Sequence, residues 1–494
     1  MEILGPASKY LSGMHARGSS FFDTAIEAAF PRLALSRAHA RSQLKRLRKF
    51  EAASTSDRYK GWTTVNTSPN SGNETALSIV KERVRYLDNS NPYMRRGKQA
   101  LADYIVGKAI TPYACYPDGN PAEKHEEILK KWADTAVCDL DGRTNLYGLQ
   151  ASACEHLVRD GEVLIKRVWM DDPLSPIPLK LQLLESDYID TSKHEALSNK
   201  NIIIQGVEFN PRGQRVAYWL WDEHPMETRN WRQPRQSKRY DARDFIHLFK
   251  SERAGQARGI SWFVTNVLKL KELDDAIDAH LVRQKIASCF VGVFHDLETD
   301  DPEIERKKNL GKITPGSWMV APPGQTVEFS NPPQVEGYKE FIETHLHSNA
   351  VGLSIPYMIL TGDYSKANYT SSRGAKLDFK KSIERHQYHI FMPQFCDSVY
   401  RWFSEACEFV GIREETIAIW QPPKWDLVDP LKDLQALALA EEKHYISHPG
   451  VIRELGEDPH QLYKEISGSN DIFKKYGIKP RLVMIKGGSD DKED

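Results

Sequence analysis

Phe263, Val267, Leu270, Leu273, Ile277 and Leu281 follow one another at intervals of 4, 3, 3, 4 and 4 residues. That is the period of one helix face, so a single long helix is expected over Ser261–Ala287. A second helical pattern begins near Gly337, with Tyr338, Ile342, His345 or Leu346, and Asn349 on one side. A third runs from Ser371 to about Val410, its stripe carried by Phe379, Ile383, Ile390, Phe391, Phe395, Val399, Trp402, Ala406 and Phe409. Pro393 lies inside it, and a bend or break is expected there, because proline lacks the N–H that the helix ladder needs. A Pro/Gly-punctuated insert, Val291–Val335, separates the first two helices. Within it, Ser317–Val320 and Thr326–Phe329 flank Pro322-Pro323-Gly324-Gln325, the pattern of a hairpin. A loop-like stretch, Ser354–Thr370, separates the second helix from the third. Helix, insert, helix, loop, helix suits a radial assembly, in which each subunit adds helices to a shared bundle and exposes the insert at one end.

Upstream the pattern is mixed. Glu74–Ile110 reads as helical, with Asn91-Pro92 opening its second segment. Val163–Met170, Leu179–Leu184, Ile202–Phe209, Val216–Trp221 and Phe245–Phe249 read as strands. Asn210-Pro211-Arg212-Gly213 is a turn, which makes Ile202–Trp221 a hairpin. The first 55 residues read as an arm. Arg37, Arg41, Lys45 and Arg48 lie on one helical stripe there, opposite a rough apolar stripe. Such a face touches DNA or an acidic partner, or is simply a solvated face on a docked helix. Beyond Gly411 come Trp420, Pro422-Pro423, Trp425 and more helix, then an acidic end at Asp490–Asp494 that reads as disordered.

A chain of 494 residues needs more than one core. Its formal net charge of -1 argues against tight nucleic-acid gripping, which takes clustered Lys and Arg. None of the six cysteines shows CxxC spacing, so reduced, packed thiols of a cytosolic chain are expected, with Cys396 and Cys407 on one helix face. The longest apolar run, Ile286–Phe294, is nine residues, too short for a membrane span, which needs ~20. The N-terminus has no signal-peptide pattern.

Chemistry finds little foothold. There is no P-loop, HExxH, GxSxG or GxGxxG. Asp274 and Asp278, four apart on a helix, could in principle share a metal; their plainer reading is contact with water, or with Lys271 and Arg283. His345 and His347 diverge by about 200° on a helix, which disfavours a metal pair. Ser152, His156 and Asp160 share a face but lack an oxyanion signature, and read as an ordinary helix surface.

Several ordered blocks resemble the lambda family of phage portal proteins. They are Trp62, Ser68-Pro69-Asn70, Arg83–Leu87 and Asn91-Pro92-Tyr93, then Asp160-Gly161-Glu162-Val163-Leu164, Leu181–Asp187 and Gly206-Val207-Glu208-Phe209. The most telling are Phe245–Phe249 followed by Gly255-Gln256-Ala257-Arg258-Gly259-Ile260-Ser261-Trp262, and Gly352–Tyr357 running into Leu360–Arg373. Trp425 and Asp429–Lys432 add a late match, so that the likeness spans about 62–456.

The resemblance implies an α+β, portal-type subunit. Its parts would be a basic arm (1–55), a mixed α/β wing (56–258), a first stem helix (259–290), a small α/β clip (291–336) and a second stem helix (337–355). A tunnel loop region (356–372), a long kinked wing helix (373–411) and a helical, crown-like C-terminal part (412–494) would follow. It implies a ring, usually of twelve copies, at one capsid vertex of the virion, made in the host bacterial cytoplasm. Double-stranded DNA would pass through it without sequence readout. The terminase large subunit, head-completion or adaptor proteins, and the major capsid and scaffolding proteins would be its partners, and it would initiate capsid assembly. No cofactor, metal, catalytic residue or membrane contact is implied. Lys366, Asn368, Arg373 and Tyr364 would face DNA from the tunnel loop, unless Lys366 pairs with Asp363 or a neighbouring subunit. Two other readings stay open: a metal-dependent DNA-processing enzyme, and a head–tail adaptor with no motor contact.

Overall fold

The computed structural model describes residues 67–227, 236–288, 292–296, 325–329, 337–425, 429–457 and 459–477. The architecture below is that of the unit spanning 68–494. The arm with Arg37, Arg41, Lys45 and Arg48, the expected strand Ser317–Val320, and the acidic end lie outside the described residues.

A short helix, α1 (Pro69–Asn73), precedes α2 (Ala76–Ser90) and α3 (Pro92–Ile105). Asn91 parts the last two, as its sequence position predicts. Its side chain accepts from the Met94 N–H at 2.8 Å, and Pro92 takes the first helical position, where no N–H is needed. The helical pattern does not reach Ile110, because strand β1 (Thr111–Cys115) follows. Its partner is Ile417–Gln421, some three hundred residues later, which a local reading cannot anticipate.

Two further helices, α4 (Glu123–Ala133) and α5 (Leu146–Asp160), lead into strands β2 (Glu162–Trp169) and β3 (Leu179–Glu185). The stretch read as one strand, Ile202–Phe209, is two. β4 (Glu195–Ala196) and β5 (Ile202–Ile204) precede a two-residue turn, and β6 (Val207–Phe209) returns antiparallel with Ile204 opposite Val207. Gln205 and Gly206 have φ of 50° and 78°, the paired positive values of a tight hairpin turn whose twist matches the strands. With β7 (Arg215–Leu220) and β8 (Lys238–Asp241) these make a five-stranded meander. β9 (Phe245–Phe249) instead joins β2 and β3 in a three-stranded sheet, order β3-β2-β9.

The long helix α6 is Val267–Ser288. It starts later than expected, because the Ser261 hydroxyl accepts from Phe263 N–H and holds 261–266 as turns. Its stripe changes environment along its length: Phe263, Val267, Leu270 and Leu273 are buried, while Leu281 is 46% exposed. Strands β10 (Gly292–Asp296) and β11 (Gln325–Phe329) pair antiparallel. The strand expected at Thr326–Phe329 therefore exists, with 292–296 as its neighbour. Helix α7 (Tyr338–Leu353) runs back antiparallel to α6: Asn266 meets Asn349 at one end, and His280 stacks on Tyr338 at 3.7 Å at the other. The buried Asn266 amide donates to the Asn349 carbonyl at 2.8 Å, and a side chain at Gly352 would collide with it.

The loop Ser354–Thr370 contains a short helix, α8 (Tyr357–Thr361). The third long helix is α9 (Tyr369–His386) continued by a π-helical stretch (Gln387–Cys396) and α10 (Asp397–Phe409). Pro393 sits in that stretch, so the expected interruption takes the form of a widened ladder. The stretch is useful as well as tolerated. Gln394 exchanges both amide hydrogen bonds with the Phe249 backbone, each 3.1 Å, acting as one extra rung for β9. β12 (Ile417–Gln421) and helices α11 (Pro430–Glu442), α12 (His448–Glu454) and α13 (Pro459–Lys475) follow as the last elements among the described residues. One apolar cluster runs from Val84 and Leu87 through Trp132, Leu157 and Phe263 to Phe391, Phe395 and Phe403. Among the described residues no helix is long and apolar enough to cross a membrane.

Candidate functional site

Two of the motifs noted in sequence meet in the interior. Gly161 caps α5 in the left-handed region, φ 88°, and turns the chain straight into β2. A side chain there would lie 2.1 Å from the Ile260 carbonyl carbon; one on Gly259 would lie 2.2 Å from the Gly161 oxygen. The glycines therefore let two backbones touch. That approach places Arg258 against Glu162, which are 1% and 2% exposed. The guanidinium Nε donates to both carboxylate oxygens, at 3.1 and 3.0 Å, its Nη2 donates to one of them as well, and the Gly259 N–H adds a fourth bond at 2.8 Å. Arg258 also donates to the carbonyls of Gln205 and Ser186.

His247 closes the cluster. Its Nε2 lies 3.0 Å from Glu162, and its Nδ1 lies 2.9 Å from an Arg215 N–H. A neutral ring, donating from Nε2 and accepting at Nδ1, satisfies both partners. Burial favours that state and pushes the imidazole down to about 4. Burial would raise the Glu162 carboxyl, but the Arg258 charge and the His247 bond outweigh it and hold it well below the usual range. Every member is matched, so the cluster is a structural clamp between strand and helix junction.

Beside it lies a second charged group. Asp160, fully buried, takes Arg85 at 3.0 Å and Arg159 at 2.7 Å, with His156 at 3.3 Å. Arg85 also reaches Asp187 and Glu185, and Lys81 reaches Asp187. His156, Asp160 and Glu185, and likewise Glu185, Asp187 and His224, lie close enough to share an ion. Three cationic side chains already face the three carboxylates, so the charge is balanced without one. The helix face expected at Ser152, His156 and Asp160 is thus divided: Ser152 is exposed, while the other two belong to this network.

Asp274 and Asp278 do not act together. Asp274 accepts from the Asn91 amide at 2.7 Å, Asp278 is exposed, and Lys271 pairs with Asp275. Of the plainer readings, contact with water holds for exposed Asp278, while Lys271 pairs with Asp275, one turn along from it. His345 and His347 diverge as expected, His345 against Phe341 and His347 against Tyr357.

The loop between α8 and α9 is built from its two ends. Gly362, φ 72°, ends α8. Asn368 starts α9 with a reciprocal cap: its side chain accepts from Ser371 N–H at 2.8 Å, and its own N–H donates to the Ser371 hydroxyl at 3.1 Å. Between them the Asp363 carboxylate accepts from Ser365 N–H at 2.9 Å. Lys366 therefore does not pair with Asp363. Its ammonium donates to Glu343 on α7 at 2.6 Å, tying the loop to the second long helix. Both groups are shifted toward their charged forms by that bond, Lys366 upward and Glu343 downward. Arg373 lies one turn into α9, 3.2 Å from the Tyr369 hydroxyl and 3.4 Å from Asp433 on α11. Tyr364 is 59% exposed and points from the loop. Sequence spacing places Lys366 and Tyr364 on the loop but could not find Glu343, whose partner is 23 residues away across a helix end.

The chain is similar in sequence to known proteins along most of its length. The family model described as phage portal protein, lambda family, matches residues 55–387. A "Probable portal protein" of Halomonas phage phiHAP-1 is 25% identical over 432 residues, covering 81% of each chain. The "Portal protein" of Escherichia phage N15 is 19% identical over 477 residues, covering 85% of this chain and 89% of its own. Among solved structures, a chain from the neck of an empty gene transfer agent particle superposes with a TM-score of 0.49 at 14% identity, over 78% of this chain and 94% of that one. With a family model spanning well over half of its length, this chain belongs to the lambda family of phage portal proteins.

Proposed function

We propose that this portal protein works as a closed homo-oligomeric ring, of twelve copies, at one vertex of the phage capsid. Double-stranded DNA passes through it during packaging and ejection. The observation that carries the reading is the antiparallel pair α6 and α7, held by the Asn266–Asn349 clasp, with paired strands β10 and β11 beyond its open end. In this reading 259–290 and 337–355 are the stem, 291–336 the clip that docks the terminase large subunit, and 356–372 the tunnel loop. The wing is 56–258 with the kinked helix 373–411, and 412–494 is the crown. Head-completion proteins replace the motor after packaging, and contact with capsid and scaffolding proteins starts assembly.

A conduit must let DNA slide. Strong phosphate contacts would brake it, and the net charge of -1 avoids them. Lys366, with Tyr364, is the loop group that reaches DNA, without base readout. Asn368 and Arg373 support the loop through their cap and Asp433 contacts. The arm residues Arg37, Arg41, Lys45 and Arg48 are a second basic contact. Negative-stain imaging with native mass measurement tests the ring: closed particles with a central hole are expected, and a monomer at all concentrations would overturn it.

A further inference from the structure

Helix α11 has no interior. It reads Pro-Leu-Lys-Asp-Leu-Gln-Ala-Leu-Ala-Leu-Ala-Glu-Glu, with leucines and alanines on every side, yet none of its residues is buried. Leu431, Leu434 and Leu439 are 69%, 45% and 55% exposed. Three exposed leucines on one short helix call for apolar cover, and thirteen residues are too few to hold helical form in water by propensity alone. Beside its contacts with α12, Ala436 and Leu437 line a cleft of about 1000 Å³, whose opposite wall is α9 and the start of the π-helical stretch. On that wall Leu377 and Tyr388 are 52% and 56% exposed. Arg373, Lys376 and Lys380 line it together with the single acid Glu384, while Glu441 and Glu442 close the end of α11.

We propose that α11 is an intersubunit helix, its Leu431–Leu439 face packing against the Leu377–Tyr388 wall of the next copy of this chain. The two faces differ and each copy carries both, the arrangement that closes rings and does not stop at dimers. The acidic end of α11 and the predominantly basic wall fix the direction. This rests on the ring reading above and assigns that ring a contact outside the stem.

The test mixes Leu434→Cys subunits with Leu377→Cys subunits, assembles rings and oxidises them mildly. The native cysteines at 115, 138, 154, 396 and 407 are buried, and Cys289, which lies outside the described residues, is replaced by serine in both variants. A disulfide-linked dimer is expected from the mixture and from neither variant alone. In parallel, Leu431→Gln with Leu434→Gln and Leu439→Gln is expected to keep the wild-type circular dichroism and lower the ring fraction at least tenfold. Wild-type ring yield from that triple variant, or no cross-link in the mixture, overturns this contact and leaves the ring intact. Wild-type protein that forms no ring at any concentration overturns the ring reading and this contact together.

Discussion

The guanidinium of Arg258 grips the Glu162 carboxylate across 96 residues of sequence, with both groups out of water. Burying two charges costs several kcal/mol each, and the pair persists because every donor and acceptor is matched. Removing one partner leaves the other stranded. Arg258→Met is therefore expected to destabilise the fold by about 3–5 kcal/mol in urea unfolding. Glu162→Gln should cost a similar amount, and the double variant should recover part of the loss. An unchanged midpoint in either single variant would show that the clamp does not hold the fold.

Gly161 and Gly259 are expected to tolerate no side chain. Gly259→Ala places a methyl 2.2 Å from a backbone oxygen, which no side-chain rotation relieves. The backbones must part, and Arg258 loses its register on Glu162. Expression as insoluble protein, or a fall in thermal midpoint larger than that of Gly374→Ala, is the expected result; Gly374 faces open space within a helix.

Acid should loosen the fold from pH 6.5 downward. Burial lowers His247 and His386 from 6.5 to about 4. Between those values the unfolded chain binds protons that the folded chain refuses, so stability rises with pH across the window and is lost as pH falls through it. Each imidazole contributes at most about 3 kcal/mol to that loss. Glu162 and Asp160, both held low, add further loss below the usual carboxylate range. Urea midpoints measured from pH 8 to pH 5 check the slope, and His386→Gln should flatten it. A nuclear magnetic resonance titration showing either ring protonating near pH 6.5 would contradict the assignment.

Lys366 and Glu343 should move DNA binding in opposite directions. Lys366→Ala is expected to weaken non-specific binding by assembled rings. It should also flatten the dependence of log K on log salt by about 0.9 for each phosphate that is no longer neutralised. Glu343→Gln releases the ammonium and should strengthen binding and steepen that dependence. Identical salt slopes in all three proteins would exclude the loop from the DNA path.

Much of the scaffold is local, and local rules read it. The 3–4 spacing from Val267 to Leu273, the Asn91-Pro92 boundary, Phe245–Phe249 and the Pro393 interruption are each set by neighbours a few residues away. The ordered motifs likewise carry the family without any coordinates. Tertiary structure decided what those motifs do. Arg258 and Glu162 are separated by 96 residues, Lys366 and Glu343 by a helix end, β1 and β12 by most of the chain. A charge's role depends on what stands within a few ångströms of it, and burial fixes whether a matched pair is a clamp or a surface contact. The split of Ile202–Phe209 at Gln205-Gly206 turned on two positive φ angles, and Asn368 became a cap only once α9 began beside it. Composition bounds the chain and spacing lays out its helices; which faces meet is a matter of three-dimensional packing, where distant residues compete for the same space.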